Sequence, residues 1–409
     1  MSGSSSRPSG TTAELLQLCG GYFGAYVFTG VLVKYFTTVR AERMSDIAYL
    51  FNNTLGGTLL ALAIVLALRW PRHLASLRSA SWGALRFPAE LLWIEPSGIC
   101  TAVVIPTTTL LYTLPISVMV AMVIMRGSII VVSRLVDELQ IRQGVLDKRV
   151  YHEENLAVVF AILAVATNVL LAPLGAWIAA RGVTLPAWLN VSTKGLGGSF
   201  DFFHSTLAMT ILGLYIGAYA IRIYIMNYYK NTRAKGVKLD NRGFFAVEQI
   251  AASATMVAIG ALVCLAPALW GATDPRVVEF GKAVRAPSLA GILSGLPYGI
   301  VAFFSVFIFM FAGRTATFAG LVNRLTSLLA GVAATLLAHF VFGLKLPSAE
   351  DWMSVAFILV AVYFLTRAEQ RRTKELGLAM RIDTAAVAVA GAAAVPSPAV
   401  AAVPVPRRR

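Results

Sequence analysis

The sequence predicts an all-α integral membrane protein with about ten transmembrane helices, arranged as two inverted five-helix repeats. Composition is the first observation behind this prediction, because 57% of the 409 residues are hydrophobic, 13% are charged and the mean hydropathy is +0.72. The second is the recurrence of apolar runs of about 18 or more residues, each long enough to cross a bilayer. The third is an internal repeat that relates the two halves of the chain.

The spans are placed from the apolar runs and from the residues that interrupt them. Pro115 and the Gly313–Arg314 pair each divide an overlong run into two helices. The predicted spans are 14–38, 47–69, 88–112, 115–137, 155–178, 205–229, 244–268, 287–311, 315–342 and 350–367. The predicted domains are a polar N-terminal tail at 1–13, a first five-helix repeat at 14–178, an extramembrane linker at 179–204, a second five-helix repeat at 205–367, and a cytoplasmic tail at 368–409 that is basic and then Ala/Val/Pro-rich and disordered.

The internal repeat joins segments from the two halves. The string GGYFGAYVFTGVLVKYFTTVRA from Gly20 aligns with GLYIGAYAIRIYIMNYYKNTRA from Gly213, and the identities fall on Gly, Tyr and Arg. A second match, VIMRGS with LVNRLT, pairs Arg126 with Arg324. Five predicted spans separate equivalent positions, so equivalent helices cross the membrane in opposite directions. Inverted repeats of this kind are typical of secondary transporters, in which one half rocks against the other around a site near the midplane.

Glycines spaced four apart predict where helix backbones approach each other closely. Such spacing lets neighbouring helices pack without intervening side chains, and we assign these positions to the scaffold. The glycines concerned are Gly20 with Gly24, Gly213 with Gly217, and the run Gly291, Gly295 and Gly299.

The net charge of +15 lies mainly in short segments between apolar runs, so it indicates membrane orientation and not nucleic-acid binding. The distribution of Lys and Arg favours both termini in the cytoplasm. Five basic residues fall on the opposite side: Arg40, Arg43, Arg276, Lys282 and Arg285. The Ala, Val and Arg content suits a bacterial cytoplasmic membrane, whereas the basic tail and the sequon at Asn190 leave an endomembrane such as the Golgi as the alternative.

Arg126 is the only charged residue in the run from Leu114 to Ser133. An arginine at the centre of a spanning helix costs about 2.5–3.5 kcal/mol on insertion-based scales, so it must face a partner or a water-filled cavity. The repeat relates Arg126 to Arg324, and two guanidiniums that converge on one cavity suit an anionic substrate.

The alternative is that each arginine pairs with an intramembrane carboxylate. The candidates are Glu95 and Glu248, either of which could also exchange a proton during transport or lie near the membrane surface at a helix start.

Amides and tyrosines in the apolar runs are further candidates for the substrate site. Tyrosines four residues apart share one helical face and could stack on a base or a sugar, although packing and interface anchoring are common roles too. The amides could bind ligand or bridge helices. The candidates are Asn52, Asn53, Asn323 and Gln249, with Tyr22 and Tyr26 in the first half and Tyr215 and Tyr219 in the second.

Enzyme signatures are absent from the sequence. The four histidines are scattered, the three cysteines lie in apolar segments, and there is no nucleophile elbow, P-loop or dinucleotide fingerprint. We therefore expect no catalytic residue, metal or cofactor, and transport driven by gradients or by exchange.

The pattern resembles the drug/metabolite transporter superfamily, with its EamA-like and nucleotide-sugar-transporter-like members, over roughly residues 14–367. GLVNR at 320–324 is similar to the GALNK motif of nucleotide-sugar transporters, and LFNNT at 50–54 resembles their FYNN motif. Two departures stand out: an arginine replaces the lysine, and the paired asparagines lie in the second span where that family has them in the seventh. The resemblance implies two inverted five-span halves and both termini in the cytoplasm.

The function expected from these observations is alternating-access transport of a polar, anionic metabolite that carries phosphate or carboxylate, such as a nucleotide sugar or a sugar phosphate. Two alternatives stay open: a proton-coupled exporter of neutral or cationic small molecules or amino acids, and a non-transporting membrane scaffold or receptor. The expected partners are membrane lipids and a small-molecule substrate, with no nucleic acid; a homodimer stays open.

Overall fold

The protein is a helical membrane protein. The computed structural model describes residues 12–74, 79–83, 85–146, 150–182, 205–232, 241–309, 316–347 and 349–393. Within these ranges, eight helices are long and apolar enough to cross a membrane, and a bent pair of helices would make a ninth span.

The helices and strands follow one another in an order close to that of the predicted spans. Their bounds are α1 Thr12–Lys34 with a π-helical turn at Tyr35–Val39, α2 Asp46–Ala67, a short 3-10 helix at Trp70–His73, β1 Ser79–Trp82, β2 Leu85–Pro88, α3 Leu91–Thr113, α4 Val118–Arg142, α5 His152–Ala180, α6 Thr206–Asn231, α7 Asn241–Trp270, α8 Pro275–Arg285, α9 Leu289–Ser294, α10 Leu296–Phe309, α11 Ala316–Phe342 and α12 Ala349–Ala393.

Helix α4, which carries Arg126, begins where the sequence predicts. Helix α3 ends at Thr113, and the Ser117 side chain caps α4 by accepting a hydrogen bond of 3.1 Å from the Val120 amide. The break predicted at Pro115 is therefore confirmed. The break predicted at Gly313–Arg314 lies outside the described residues.

Helix packing crosses the boundary between the two halves of the chain. Helix α3 packs against α6 and α7 of the second half, and α10 packs against α1 and α2 of the first half. In the middle, α4 contacts α6 and α11, and α11 contacts α1. Helices α5 and α12 pack along each other beside α4 and α11. The largest hydrophobic core fills the space between α1, α4, α6 and α11.

The glycine run on α9 and α10 makes the close contact that its spacing predicts. A Cβ added at Gly295 would overlap the Asn53 carbonyl oxygen, and one at Gly299 would lie 2.6 Å from the Gly57 carbonyl oxygen, so both glycines are needed where the α9–α10 segment meets α2.

The other predicted glycine contacts are wrong. Among the described residues, nothing lies within 4 Å of a Cβ built at Gly20, Gly24, Gly213 or Gly217. These glycines share the spacing, but the neighbouring helices pack against the tyrosine faces of α1 and α6 instead.

Three local features differ from the prediction. A hairpin of β1 and β2 follows α2, and α8 is a helix in a segment predicted as a loop. Helix α12 continues to Ala393, so the basic part of the predicted tail is helical, and so is the start of the Ala/Val-rich part that was predicted as disordered. The first part of this tail is rich in helix formers. Arg371 forms an ion pair of 2.6 Å with Glu153 of α5, and Glu375 accepts a hydrogen bond of 2.7 Å from the hydroxyl of Tyr151, which directly precedes α5. Residues 394–409 and 183–204, the latter including Asn190, lie outside the described part.

Candidate functional site

Arg126 lies inside the bundle, on the face of α4 that meets α1 and α6. Its side chain is only 6% exposed. The Nη2 group donates a hydrogen bond of 2.8 Å to the Tyr26 hydroxyl, and the guanidinium lies 5.6 Å from the centre of the Tyr26 ring. Tyr22, Tyr215 and Tyr219 are also within electrostatic range of it. The structure thus brings both predicted tyrosine pairs to Arg126, and we call these five residues the arginine–tyrosine cluster.

The i, i+4 spacing explains how each helix contributes two rings. Tyr22 and Tyr26 meet edge to face, with centroids 5.1 Å apart, and Tyr215 and Tyr219 lie 5.5 Å apart. Tyr22 and Tyr215 are fully buried. Both pairs therefore face the centre of the bundle, at equivalent places on α1 and α6.

The charge of Arg126 has no counter-ion in the described part of the chain. No Asp or Glu oxygen there lies within 4.0 Å of the guanidinium, and the buried Nε group has no hydrogen-bond partner. A lone buried cation is costly, since little water is present to solvate it. Among the described residues, the guanidinium thus has a tyrosine hydroxyl as acceptor at Nη2 and an unpaired Nε.

Arg324 of α11 approaches the same face of α4. Its Nη2 group donates to the hydroxyl of Ser133, which lies two helical turns after Arg126, about 10 Å along the helix axis. Arg126 and Asp137 are both within electrostatic range of Arg324. The two repeat-related arginines thus lie along one face of α4, at different depths.

Asn323 borders the cluster and links three helices. Its Oδ1 accepts a hydrogen bond of 3.1 Å from the Tyr22 hydroxyl, and its Nδ2 donates to the hydroxyl of Ser305 at 3.0 Å. Because it orients Tyr22, Asn323 takes part in the site through a ring of the cluster.

Asn52 and Asn53 lie at the contact between α2 and α9, and the structure does not bring them to the cluster. The Asn52 amide accepts from the Ser288 backbone N–H at 2.8 Å and donates to the Ala48 carbonyl at 2.8 Å. The Asn53 amide donates to the Tyr49 hydroxyl at 3.1 Å and to the Ser294 carbonyl at 3.2 Å. Both side chains fasten α2 to α9.

Gln249 is buried on α7, but among the described residues no hydrogen bond joins its side chain to the cluster.

Glu248 pairs with Arg222 of α6, not with Arg126 or Arg324. The Arg222 guanidinium donates to both carboxylate oxygens, at 2.8 and 2.9 Å. Ser97 and Thr101 of α3 add hydrogen bonds of 2.6 and 3.2 Å. Arg222 also lies 5.9 Å from the centre of the Tyr219 ring, so this ion pair supports one wall of the cluster.

Glu95 is exposed in the first turns of α3, so it does not supply the counter-ion of a buried arginine. The described residues contain no group of three or more His, Cys, Asp or Glu side chains that could hold a metal ion.

Sequence reasoning missed Arg222, although one signal was available: it is the single charge inside the predicted span 205–229. It also missed Tyr112 and Tyr298, which lie within electrostatic range of Arg126 and Tyr26.

Comparison with known proteins adds little to this description. No protein-family model and no curated protein matches the chain. Solved structures do match; one of them, described only as "Crystal structure of protein", is 16% identical and has a TM-score of 0.43, and the alignment covers 88% of this chain and 99% of that one. A likeness at this level carries no argument about fold or function.

Proposed function

We propose that the protein is a secondary transporter that moves a polar, anionic metabolite carrying phosphate or carboxylate, such as a nucleotide sugar or a sugar phosphate, by alternating access. The observation that carries the proposal is the arginine–tyrosine cluster, in which a buried guanidinium has no carboxylate within 4.0 Å among the described residues. A substrate anion would supply an acceptor for the unpaired Nε.

The chemistry of the cluster suits such a substrate. A guanidinium offers donors in a planar fork that fits carboxylate and phosphate, and the Nε of Arg126 is unused. Tyrosine hydroxyls can donate further hydrogen bonds, and their rings can stack on a planar or sugar-like group. Arg324 would contact a second polar group of an elongated substrate, about 10 Å away along α4.

The packing pattern supports the two inverted repeats. In the repeat, α1 to α5 correspond to α6, α7, α10, α11 and α12. The contact between α1 and α11 then corresponds to that between α6 and α4. The contacts of α10 with α1 and α2 correspond to those of α3 with α6 and α7. The contact between α4 and α5 likewise becomes that between α11 and α12. All of these contacts are present. With the α9–α10 segment as one span and α5 as another, the count reaches ten.

Matching contacts of single residues also support the repeat. Asn53 bonds to the Ser294 carbonyl where Gly295 meets α2, and Glu248 bonds to the Ser97 hydroxyl where Gly98 meets α7. A Cβ at Gly98 would lie 2.8 Å from the Glu248 carbonyl oxygen, and one at Gly295 would overlap the carbonyl oxygen of Asn53. The two junctions use the same geometry with different polar groups.

These contacts define which helices would move together. Helix α3 is fastened to α6 and α7, and α9 and α10 are fastened to α1 and α2, so each moving unit would contain a helix of the other half. Helices α4 and α11, which carry Arg126 and Arg324, meet each other between these units. An anion at Arg126 would lie where the units separate.

Proteoliposome flux tests the proposal. Arg126→Ala and Arg324→Ala, each purified as a folded monodisperse protein, should transport the anion roughly 100-fold less efficiently, since a buried charged contact is worth about 2–5 kcal/mol. Arg142→Ala is the matched control, because it removes an exposed arginine at the end of α4. Candidate anions are sugar phosphates, nucleotide sugars and organic acids. Undiminished flux of every transported anion by both variants would overturn the assignment.

In the proton-coupled alternative, the buried candidate carboxylate is Glu248, which lies in an ion pair. Every neighbour that bonds to the Glu248 carboxylate is a donor, and the guanidinium of Arg222 holds both oxygens.

A further inference from the structure

Helix α8 joins two long apolar segments of the second half of the chain. It connects α7, which ends at Trp270, with α9, which begins at Leu289. The axis of α8 is bent by 99° from the segment Leu289–Ser305 that follows it. Helices α9 and α10 together cover 289–309 without a charged residue, so they have the length and composition of a membrane span. A helix at about a right angle to that span runs close to the membrane plane. Trp270 is exposed at the end of α7, a usual place for a tryptophan at the membrane interface.

One side of α8 is fixed to the protein. The Phe280 ring meets the Phe51 ring of α2 edge to face, with centroids 5.5 Å apart, and a Cβ at Gly260 of α7 would lie 3.6 Å from it. Ala283 is buried beside it. Asp274 caps the first turn by accepting a hydrogen bond of 2.8 Å from the Arg276 amide. The rotation of α8 about its axis is therefore set.

The opposite side carries an apolar residue followed, one and two turns later, by two cations. Val278, Lys282 and Arg285 recur at spacings of four and three, so they share one helical face, and all three are exposed. A surface helix with exposed apolar and basic side chains binds at the boundary between headgroups and acyl chains, where Lys and Arg stems lie along the lipid and their charged ends reach the phosphates.

The acid on this helix does not neutralise that face. Glu279 lies three residues before Lys282, but among the described residues no ion pair within 4.0 Å joins the two, and Glu279 is also within electrostatic range of Asp46 of α2. The basic face is thus open to an anionic group of the membrane.

We propose that Val278, Lys282 and Arg285 form a binding site for the headgroup of an anionic phospholipid. Val278 contacts the acyl boundary, and the two cations hold the phosphate. The site also explains why Lys282 and Arg285 lie on the side of the membrane whose loops contain few other Lys and Arg residues. On a helix that binds lipid headgroups, these cations contact the lipid. The proposal depends on the membrane location alone and not on transport.

The test is a lipid titration of the purified full-length protein in neutral detergent, with thermal unfolding as the readout. Phosphatidylglycerol should stabilise the parent at lower concentration than phosphatidylcholine does. In the variant K282Q/R285Q the midpoint of the phosphatidylglycerol effect should rise roughly 25-fold, because each basic side chain near an anionic surface contributes about 1 kcal/mol, a factor of about five. R69Q/R72Q is the matched control, since it removes two exposed cations from the segment after α2 and should leave the midpoint within about twofold.

Three outcomes would overturn the proposal. In the first, phosphatidylglycerol and phosphatidylcholine stabilise the parent equally. In the second, both double variants lose the effect to the same extent, which would make it a consequence of net charge. In the third, inorganic phosphate at the same concentration stabilises the parent as well as the lipid does, which would assign the site to a free anion. Should K282Q/R285Q not fold, V278E, which keeps both cations but prevents acyl contact, must weaken phosphatidylglycerol binding.

Discussion

Arg222 of α6 grips the Glu248 carboxylate of α7 through two hydrogen bonds of 2.8 and 2.9 Å, and both residues lie within the membrane-spanning part of the protein. Ser97 and Thr101 of α3 complete the site, so three helices from two halves of the chain meet at one carboxylate. Arg126, by contrast, has a hydroxyl partner and no carboxylate within 4.0 Å among the described residues. The contrast between a paired and an uncompensated arginine gives the first predictions.

Arg126→Leu should make the empty protein more stable. Replacing a buried cation that lacks a counter-ion by an apolar side chain removes a desolvation cost, and we expect a gain of about 1–4 kcal/mol. The measurement is the thermal unfolding midpoint in detergent without any added anion. A clear loss of stability would mean that Arg126 is a structural residue.

Arg222→Leu should have the opposite effect. It leaves Glu248 buried without its cation, which costs about 3–5 kcal/mol. The double variant R222L/E248L should recover most of that loss, since neither charge then remains. E138A, which breaks the exposed ion pairs of Glu138 with Arg134 and Arg142, is the control and should change the midpoint little. Equal losses in R222L and E138A would contradict the role of the buried pair.

Gly295→Ala should destabilise the protein, whereas Gly213→Ala should not. A Cβ at Gly295 collides with the Asn53 backbone and forces α9 away from α2, at a cost of about 1–3 kcal/mol. At Gly213 nothing described lies within 4 Å, so alanine should stabilise the helix by roughly 0.5–1 kcal/mol. Thermal unfolding of the two variants, measured side by side, checks the sign of each change.

Ser133→Cys should react with a water-soluble thiol reagent if the arginines line a transport route. Ser133 lies on the Arg126 face of α4 and bonds to Arg324. The background needs Cys19, Cys100 and Cys264 replaced, and the transported anion should slow the reaction. A membrane scaffold would give no labelling from either side, which makes this the test that separates the two classes of function.

The sequence predicts the helices and the cluster well because both depend on local spacing. The sequence repeat aligns Tyr22 and Tyr26 with Tyr215 and Tyr219. Residues four positions apart lie on the same face of a helix, so the two tyrosines of each pair point in the same direction. That Arg126 faces polar partners inside the bundle follows from the cost of placing a charge in an apolar span. Which helices pack against each other cannot be predicted from the local sequence, because packing partners depend on the whole bundle.

Residues at helix contacts show the limit most clearly. Asn53 and Glu248 are both polar residues in apolar spans, and nothing in their local sequence says that each fastens its helix to a neighbour. Gly20 and Gly24 have the same spacing as Gly295 and Gly299, yet only the latter pair meets another backbone. The sequence pattern identifies unusual polar and small residues. Their tertiary placement decides whether each one can contact a ligand or holds two helices together.

The placement of α3 has a consequence for biogenesis. When the ribosome has delivered only the first five helices, Ser97 and Thr101 face a neighbour that has not yet been synthesised, since their acceptor Glu248 arrives with α7. The Ser294 carbonyl that accepts from Asn53 is synthesised later still, with α9. Two fragments cut between α5 and α6 should therefore remain incomplete when made separately and assemble when made together in one cell.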